Sequence, residues 1–164
     1  MENKRDINVL IDDAILNTRS VAVIIDKEGR VLVQKRENDK YWALPGGKVE
    51  IMEKSEDTIV RELKEELGIE NICVEKLVAV SEHFFEFNSK KCHQYIFTYK
   101  VNIDTLEWIY EKNEFSGIEK DKDLRYKWIS IKDVENIQVK PDFLAKQLLN
   151  IEKNEIQFIS YVEQ

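Results

Sequence analysis

The segment SEDTIVRELKEELG, residues 55–68, constrains the fold of this chain more than any other stretch. Ser55 is expected to be the N-cap of a helix, because its hydroxyl can accept a hydrogen bond from a free backbone N–H. Gly68 suits the C′ position, where a left-handed residue ends many helices. Four apolar residues recur between these ends with helical spacing. They are Ile59, Val60, Leu63 and Leu67. The segment therefore predicts an amphipathic helix with one buried stripe.

Three carboxylates crowd the other side of this predicted helix. Glu62 lies one helical turn from both Glu65 and Glu66. Like charges at these spacings cost about 0.2–0.5 kcal/mol per pair in an isolated helix. Several carboxylate oxygens are the ligands that Mg²⁺ or Mn²⁺ prefers, and such a cation would remove the repulsion. Arg61 can hold one of the carboxylates in place from outside the ligand set.

A glycine pair precedes the helix, in the loop PGGK. Gly46 and Gly47 allow the backbone to approach an ion closely, so that a main-chain carbonyl can join its ligands. A cation cluster facing a phosphate chain polarises phosphoryl oxygens and acidifies water. Neighbouring carboxylates can then accept the proton of that water. The loop and helix together indicate a site for phosphate chemistry.

The remaining pattern predicts strands on both sides of this helix. Residues 20–36 are expected to form a hairpin around a turn at 26–29, and residues 72–101 a second strand pair around 88–90. YKWISI predicts another strand, and residues 141–151 fit a helix with a proline in its first turn. Strands around a central helix, followed by a second helix, favour a layered α/β arrangement.

Counted from Gly47, the segment follows the spacing G-x5-E-x7-R-E-U-x-E-E-x-G-U, where U is a bulky aliphatic residue. The constrained positions are filled by Gly47, Glu53, Arg61, Glu62, Leu63, Glu65, Glu66, Gly68 and Ile69. This stretch resembles the Nudix box, the signature of the MutT-like Nudix hydrolase family. Small departures are Ile51-Met52, where many members carry Pro-Gly, and Thr58, where alanine is common. None of these is a predicted ligand position.

The resemblance implies a fold, an activity and a cofactor. The implied fold is an α/β/α sandwich with a central mixed β-sheet and a loop–helix–loop motif. It would form a single domain over residues 1–164, with a core at about 18–140, a C-terminal helix at about 141–151 and a last strand at 156–162. The implied activity is hydrolysis of a phosphoanhydride bond in a nucleoside diphosphate-linked small molecule, with Mg²⁺ or Mn²⁺ as cofactor.

The resemblance also implies roles for individual residues. The implied metal ligands are Gly47, through its carbonyl, Glu62, Glu65 and Glu66. Glu65 is the first choice for the general base, and Glu53 and Arg61 are expected to orient the cluster. Some family members recruit one more carboxylate from a distant loop. Here that residue would come from Glu119, Asp121 and Asp123, among which the motif does not choose.

Composition limits the partners. The net charge of -7 and the pI of about 5.1 disfavour binding to nucleic-acid phosphates but allow a small phosphorylated ligand held through a cation. No apolar run reaches the ~18–20 residues of a membrane span, and the first residues do not resemble a signal peptide. We therefore predict a cytoplasmic protein without a membrane partner. Cys73 and Cys92 are expected to be buried free thiols, and an exposed strand edge could pair in a homodimer.

Several interpretations stay open from the sequence. A catalytically silent nucleotide-binding module is the main alternative to an enzyme, and an isomerase with a related metal site is a third. His83 and His93 are expected to be packed or solvent-facing. Aromatic residues could stack on a planar group of the substrate, although most are expected in the core. They are Tyr41, Trp42, Phe84, Phe85, Phe87, Tyr95 and Phe97. Oxidised nucleoside triphosphates, ADP-ribose, nucleotide sugars and dinucleoside polyphosphates are all candidate substrates.

Overall fold

A computed structural model of the protein describes residues 5–103 and 107–163. It contains nine strands, three α-helices and one 3-10 helix within these residues. In chain order they are β1 (Asn8–Ile11), β2 (Ala14–Val23), β3 (Arg30–Arg36), β4 (Gly46–Lys48), α1 (Ser55–Leu67), β5 (Ile72–Phe87), β6 (Lys90–Ile103), α2 (Glu107–Glu111), β7 (Glu114–Ser116), β8 (Leu124–Ser130), the 3-10 helix (Ile131–Asn136), α3 (Leu144–Leu148) and β9 (Gln157–Val162).

The strands form two sheets. The larger is mixed and has the order β1-β2-β6-β5-β9, with β4 paired to β2 beside β1. Two of its pairs, β2–β6 and β5–β9, are parallel, whereas the other pairs are antiparallel. The smaller sheet is antiparallel and has the order β3-β8-β7. Every connection between parallel neighbours crosses over other elements, so the larger sheet depends on contacts between distant parts of the chain.

Hydrophobic clusters lie on both faces of this strand layer. On one face, Ile59 and Leu63 of α1 are fully buried against Leu32 and Tyr126 of the smaller sheet. On the other face, α3 and its flanking turns bury apolar residues such as Leu148 against strand residues. The architecture is therefore an α/β/α sandwich, which confirms the predicted fold. Its middle layer consists of two sheets rather than one.

The hairpin predicted for residues 20–36 is wrong in its pairing. The turn exists, and Asp26 accepts hydrogen bonds from the backbone of Glu28 and Arg30. However, β2 pairs with β6 and β3 pairs with β8, so only an isolated bridge joins Ile25 to Val31. The run before the turn is apolar at consecutive positions and is buried on both faces. Such a strand needs neighbours from other parts of the chain.

Helix α1 confirms most of the predicted motif helix. Gly68 ends it in the left-handed conformation, at φ 68°. Ser55 is not the N-cap, because the helix begins one residue earlier than that role requires and Lys54 occupies the cap position. The Ser55 hydroxyl instead lies 2.6 Å from the Tyr99 hydroxyl. Val60 is 38% exposed and falls outside the buried stripe.

The C-terminal elements differ from their predicted bounds. The β5–β6 hairpin and the last strand are present, and β9 pairs in parallel with β5. The helix predicted over 141–151 is α-helical only at Leu144–Leu148, and turns flank it on both sides. Phe143 and Ile151 are buried at the two ends, so tertiary packing holds the segment in place although little of it is helical.

Other expectations concern the surface. Cys92 is a buried free thiol, but Cys73 is an exposed one, because the alternation of β5 turns it outward. The edge strand β1 exposes about half of each of Val9, Leu10 and Ile11, and the homodimer stays a prediction. Among the described helices, none is long and apolar enough to cross a membrane.

Candidate metal centre

Strand β4 brings the glycine pair against the acidic face of α1. Gly47 pairs with Ser20 of β2, and a Cβ atom on Gly47 would lie 2.1 Å from Oε1 of Glu62. At Gly46 the backbone has φ +142°, and a Cβ atom would lie 2.2 Å from the Ser20 carbonyl oxygen. The absence of a side chain at both positions allows this close approach of loop to helix. The predicted proximity of Gly47 and the helix carboxylates is thus present in the fold.

Arg61 connects most of the charged residues of the motif. Its guanidinium donates to Glu53 through Nε at 2.7 Å and Nη2 at 3.0 Å. It also donates to Glu62 at 2.8 Å and to the Lys48 carbonyl at 3.1 Å. Glu65 lies 3.5 Å away, one helical turn further along α1. The guanidinium therefore ties the loop before the helix to the helix itself.

Glu53 is the residue most completely satisfied by this network. Besides the two bonds from Arg61, Oε2 accepts hydrogen bonds from the Glu50 backbone N–H at 3.0 Å and the Thr58 hydroxyl at 2.8 Å. Burial alone would raise the pKa of Glu53, but the bonds from Arg61, Glu50 and Thr58 outweigh it and lower the pKa to about 2. The bonds to Glu53 and Glu62 raise the pKa of Arg61 against its burial. The pair is therefore permanently charged at neutral pH.

A second group of charges surrounds Glu62 and Glu66. These side chains are only 6% and 3% exposed. The ammonium of Lys122 lies between them, 3.3 Å from Glu62 Oε2 and 3.0 Å from Glu66 Oε1. The Tyr126 hydroxyl donates to Glu66 Oε2 at 2.8 Å. Two buried carboxylates from one helix face thus converge on a single cation supplied by the loop before β8.

Burial sets the ionisation of this group. It raises the pKa of Glu66, although the charge of Lys122 opposes the shift. The pKa of Lys122 is itself raised, since its hydrogen bond to Glu119 and the charge of Glu66 outweigh its own burial. Burial and the neighbouring Glu66 charge also raise the pKa of Tyr126. Tyr126 is therefore a hydrogen-bond donor to the carboxylate at neutral pH.

Glu65 occupies a different position from its two neighbours. Its side chain is 38% exposed and faces solvent at the rim of the cluster, within 3.5 Å of Arg61. The three predicted ligands on α1 therefore divide into two buried carboxylates and one accessible to water.

The cluster is not a ready-made metal site, but its charges and donor atoms fit a divalent cation. Across residues 5–103 and 107–163, no three acidic, histidine or cysteine side chains are already gathered as a metal site. The ammonium of Lys122 nevertheless occupies a cation position between Glu62 and Glu66, beside the loop at Gly47. Carboxylate and carbonyl oxygens are the donors that Mg²⁺ and Mn²⁺ select.

A cavity of about 380 Å³ opens beside this cluster. Its walls come from the end of β3 and from the loop before β8. The lining residues are Arg36, Glu37, Asn38, Asp39, Asp121, Lys122 and Asp123. Arg36 and Lys122 give one part of the wall positive charge, although the protein as a whole is acidic.

The predicted extra carboxylate does not join the cluster directly. Glu119 lies 2.9 Å from the Lys122 ammonium, and Asp121 and Asp123 line the cavity. Sequence reasoning missed Lys122 and Tyr126 because their contribution depends on how the chain returns to α1. The available signal was a lysine within the acidic run before a predicted strand.

The predicted aromatic and histidine residues lie mostly on the strands. His83 is buried and stacks on Phe85 at 4.6 Å, and His93 stacks on Phe84 at 4.3 Å. Both histidines are therefore packed, as expected. The other aromatics differ in exposure: Tyr41 and Phe87 are exposed, whereas Trp42, Tyr95 and Phe97 are partly buried.

An α/β/α sandwich with carboxylates of one helix gathered beside a glycine loop defines a recognised class of protein. The family model for the NUDIX domain matches residues 16–149, which is most of the chain. The protein belongs to the Nudix family.

Solved structures of the same fold agree. The MutT mutator protein from Bacillus halodurans superposes with a TM-score of 0.66 at 17% identity, covering 90% of each chain. A MutT NUDIX hydrolase from Burkholderia pseudomallei gives a TM-score of 0.58 at 24% identity, covering 84% of this chain and 98% of the other. At these identities the likeness concerns the fold.

Curated relatives match over shorter stretches. A CTP pyrophosphohydrolase from Escherichia coli is 46% identical over 54 residues, which are 30% of this chain and 40% of that protein. An ADP-ribose pyrophosphatase from Methanocaldococcus jannaschii is 47% identical over 49 residues, which are 28% of this chain and 29% of that protein. The matched region thus spans less than half of either relative.

Proposed function

We propose that the protein is a divalent-metal-dependent pyrophosphohydrolase that cleaves a phosphoanhydride bond in a nucleoside diphosphate-linked small molecule. The observation that carries this proposal is the pair of buried carboxylates, Glu62 and Glu66, converging on one cation position beside Gly47. Two buried like charges are costly without a cation, so their retention at a loop–helix junction favours metal binding over a purely structural role.

The names of the curated relatives support the same reaction class. They include a CTP pyrophosphohydrolase, an ADP-ribose pyrophosphatase and an RNA pyrophosphohydrolase. Their substrates differ from one another, while the bond cleaved in each belongs to a phosphate chain. The relatives therefore support the phosphoanhydride as the target and leave the group attached to it open.

In this proposal Glu62, Glu66 and the Gly47 carbonyl hold Mg²⁺ or Mn²⁺, and Glu65 completes the set from the rim. When bound, the ion supplies polarisation of phosphoryl oxygens and acidification of water. Arg61 keeps Glu62 and Glu65 oriented, and Glu53 keeps Arg61 oriented through its two hydrogen bonds. Loss of Arg61 or of Glu53 would misplace the metal-binding carboxylates, although neither residue is itself a metal ligand.

Glu65 is the proposed general base. Of the three helix carboxylates, it has the greatest access to solvent, so a water molecule can approach it from the bulk. A base must lie within hydrogen-bonding reach of the proton that it accepts. The buried positions of Glu62 and Glu66 suit ligands better than a group that exchanges protons with solvent in each turnover.

The cavity beside the cluster is the proposed binding place for the phosphate chain. Arg36 lies on its wall, and a guanidinium can bind phosphate oxygens in two parallel hydrogen bonds. The volume of about 380 Å³ is within the range of small-molecule sites.

The test is a panel of nucleoside diphosphate derivatives incubated with Mg²⁺ or Mn²⁺, with release of phosphate or nucleotide as the measurement. Turnover of at least one substrate is expected. Glu65→Gln should lower kcat by at least about 100-fold, the usual scale for loss of a proton acceptor. Glu66→Gln removes the charge of a proposed metal ligand, so it should lower turnover by weakening metal binding. Glu70→Gln, which changes an exposed glutamate just beyond the helix, should leave kcat unchanged.

Unchanged turnover in both site variants would contradict the assigned roles. The alternative, a silent nucleotide-binding module, predicts tight binding of a nucleotide without turnover under either metal. The intact carboxylate set favours the enzyme, because a module that only binds has no need of a general base. The same panel therefore separates the two functions.

A further inference from the structure

Lys122 is the least expected member of the carboxylate cluster. It lies on the loop between β7 and β8, more than 50 residues beyond α1. Its ammonium contacts three carboxylates: Glu62 at 3.3 Å, Glu66 at 3.0 Å and Glu119 at 2.9 Å. It is the cation that lies between the two buried glutamates.

Lys122 is not the only positive charge near this contact, because the guanidinium of Arg19 also interacts electrostatically with both Glu62 and Glu66. Glu62 and Glu66 together carry two negative charges in a site that is almost closed to water, and one ammonium supplies a single positive charge. Arg61 compensates Glu62 in part through its bond to Oε1. A divalent cation at the same position would supply two charges and bind both carboxylates without the constraint of a tethered side chain.

The surroundings of Lys122 allow it to leave. Its side chain is 21% exposed and borders the cavity of about 380 Å³ beside the cluster. The ammonium can therefore turn into open space without displacing core residues. Arg61, by contrast, is fixed by bonds to Glu53, Glu62 and the Lys48 carbonyl. Arg19 is likewise held, by a hydrogen bond to the Gly46 carbonyl, so among these three cations Lys122 is the one that borders the cavity.

We propose that Lys122 is a built-in counter-ion: its ammonium occupies the cation position in the metal-free protein, and a divalent metal displaces it into the adjoining cavity. This inference rests on the proposed function in one respect, that Glu62 and Glu66 bind the metal. It adds that the chain itself competes for the site. The competition keeps the buried carboxylates paired before the metal arrives and lowers metal affinity.

Thermodynamic reciprocity gives the size of the effect. If Lys122 weakens metal binding by a given factor, metal weakens the hold of the cluster on Lys122 by the same factor. Couplings of this kind usually correspond to about 5- to 150-fold in affinity. Replacing Lys122 with an uncharged residue should thus tighten metal binding by at least about fivefold.

The first experiment is calorimetric titration of the full chain with Mn²⁺ alone, without phosphate compounds. Lys122→Met retains the apolar stem and removes the charge, and Lys120→Met is the control because Lys120 is exposed on the same loop. Lys122→Met should bind Mn²⁺ at least about fivefold more tightly than wild type, while Lys120→Met matches wild type. Equal affinity of wild type and Lys122→Met overturns the counter-ion. Absence of Mn²⁺ uptake by all three proteins overturns the proposed metal site and the counter-ion with it.

A second experiment uses wild-type protein only, so it remains decisive if Lys122→Met does not fold. Lysine residues are acetylated briefly, with and without saturating Mg²⁺, and modification is located by mass spectrometry. Lys122 should react slowly without metal and at least about fivefold faster with Mg²⁺. The reason is that metal bound to the carboxylates weakens their contact with the Lys122 ammonium. Lys120 should react equally in both. A Lys122 rate that Mg²⁺ does not change overturns the proposal.

Discussion

The loop–helix motif carries two groups of charges that differ in how they are satisfied. In the first group, Glu53 and Arg61 bind one another through two hydrogen bonds, and each has further protein partners. In the second group, Glu62 and Glu66 are more deeply buried and share one ammonium from a distant loop. The first group is complete within the motif segment, while the second relies on Lys122 from outside it.

The two groups therefore have different expected roles. The first holds the site in shape, and the second supplies its proposed metal ligands. Fully bonded ions such as Glu53 have no coordination left for a ligand, so their role is to hold neighbouring groups in place. Glu62 and Glu66 have oxygens directed at the Lys122 ammonium, which in our proposal is exchanged for a divalent cation. Substitutions in the first group should therefore act mainly on stability, and substitutions in the second mainly on metal binding and turnover.

The largest expected effect on stability comes from Arg61→Met. It leaves the carboxylates of Glu53 and Glu62, which are 15% and 6% exposed, without their guanidinium. Breaking a buried ion pair on one side costs about 3–5 kcal/mol. The free energy of unfolding, measured in urea, should fall by that amount.

Lys64→Met is the matched control for Arg61→Met on the same helix. Lys64 pairs with Glu70, but both side chains are more than half exposed. Loss of an exposed pair costs less than about 1 kcal/mol. Equal destabilisation by the two variants would contradict the larger contribution to stability that is expected of the Arg61 network.

The next effect is a pH dependence caused by Glu53. Its pKa is about 2 in the folded protein, below its ordinary value of 4.5, so the folded state favours the ionised carboxylate. The resulting stabilisation, about 3 kcal/mol, is fully present above pH 4.5 and is lost as the pH falls from about 4.5 towards 2. Glu53→Gln should be less stable than wild type at pH 7, and the difference should shrink through that acidic range. Unfolding curves at a series of pH values measure it, and a difference that stays constant down to pH 2 would contradict the shift.

A smaller stability effect than that of Arg61→Met is expected at Gly47. A methyl group there meets the Glu62 side chain from Cγ to Oε1, so Glu62 must shift at a cost of about 1–3 kcal/mol. Gly47→Ala should therefore fold but bind Mn²⁺ more weakly, since Glu62 is pushed from its position. Gly46→Ala should destabilise by more, because its added methyl meets the Ser20 backbone and its φ of +142° disfavours any side chain. Calorimetry and urea unfolding of both variants test this order.

The sequence predicted the local parts of this molecule well. The spacing of Ile59, Leu63 and Leu67 gave a helix whose apolar stripe is buried, and Gly68 ends that helix as expected. The strand pair around Asn88 was also correct, since its two halves are neighbours in the chain. Local periodicity and turn chemistry were sufficient in these cases.

Predictions that needed long-range pairing were less accurate. The sequence predicts a hairpin from the strands on either side of Gly29. In the structure, β2 pairs with β6 and β3 pairs with β8 instead. The helix predicted after Pro141 is short, because burial of Phe143 and Ile151 decides the path of that segment. Tertiary contacts outweighed local propensity at both places.

By itself the sequence determined the family, because a strict residue spacing identifies it, and the helix that gathers Glu62, Glu65 and Glu66, because its periodicity is local. The three-layer fold followed from the resemblance to that family. Only the tertiary structure decided which carboxylates are buried, which one meets solvent, and that Lys122 returns to neutralise them. The physical reason is that charge compensation depends on distance in space, and the ammonium that contacts both Glu62 and Glu66 comes from a loop more than 50 residues away in the chain.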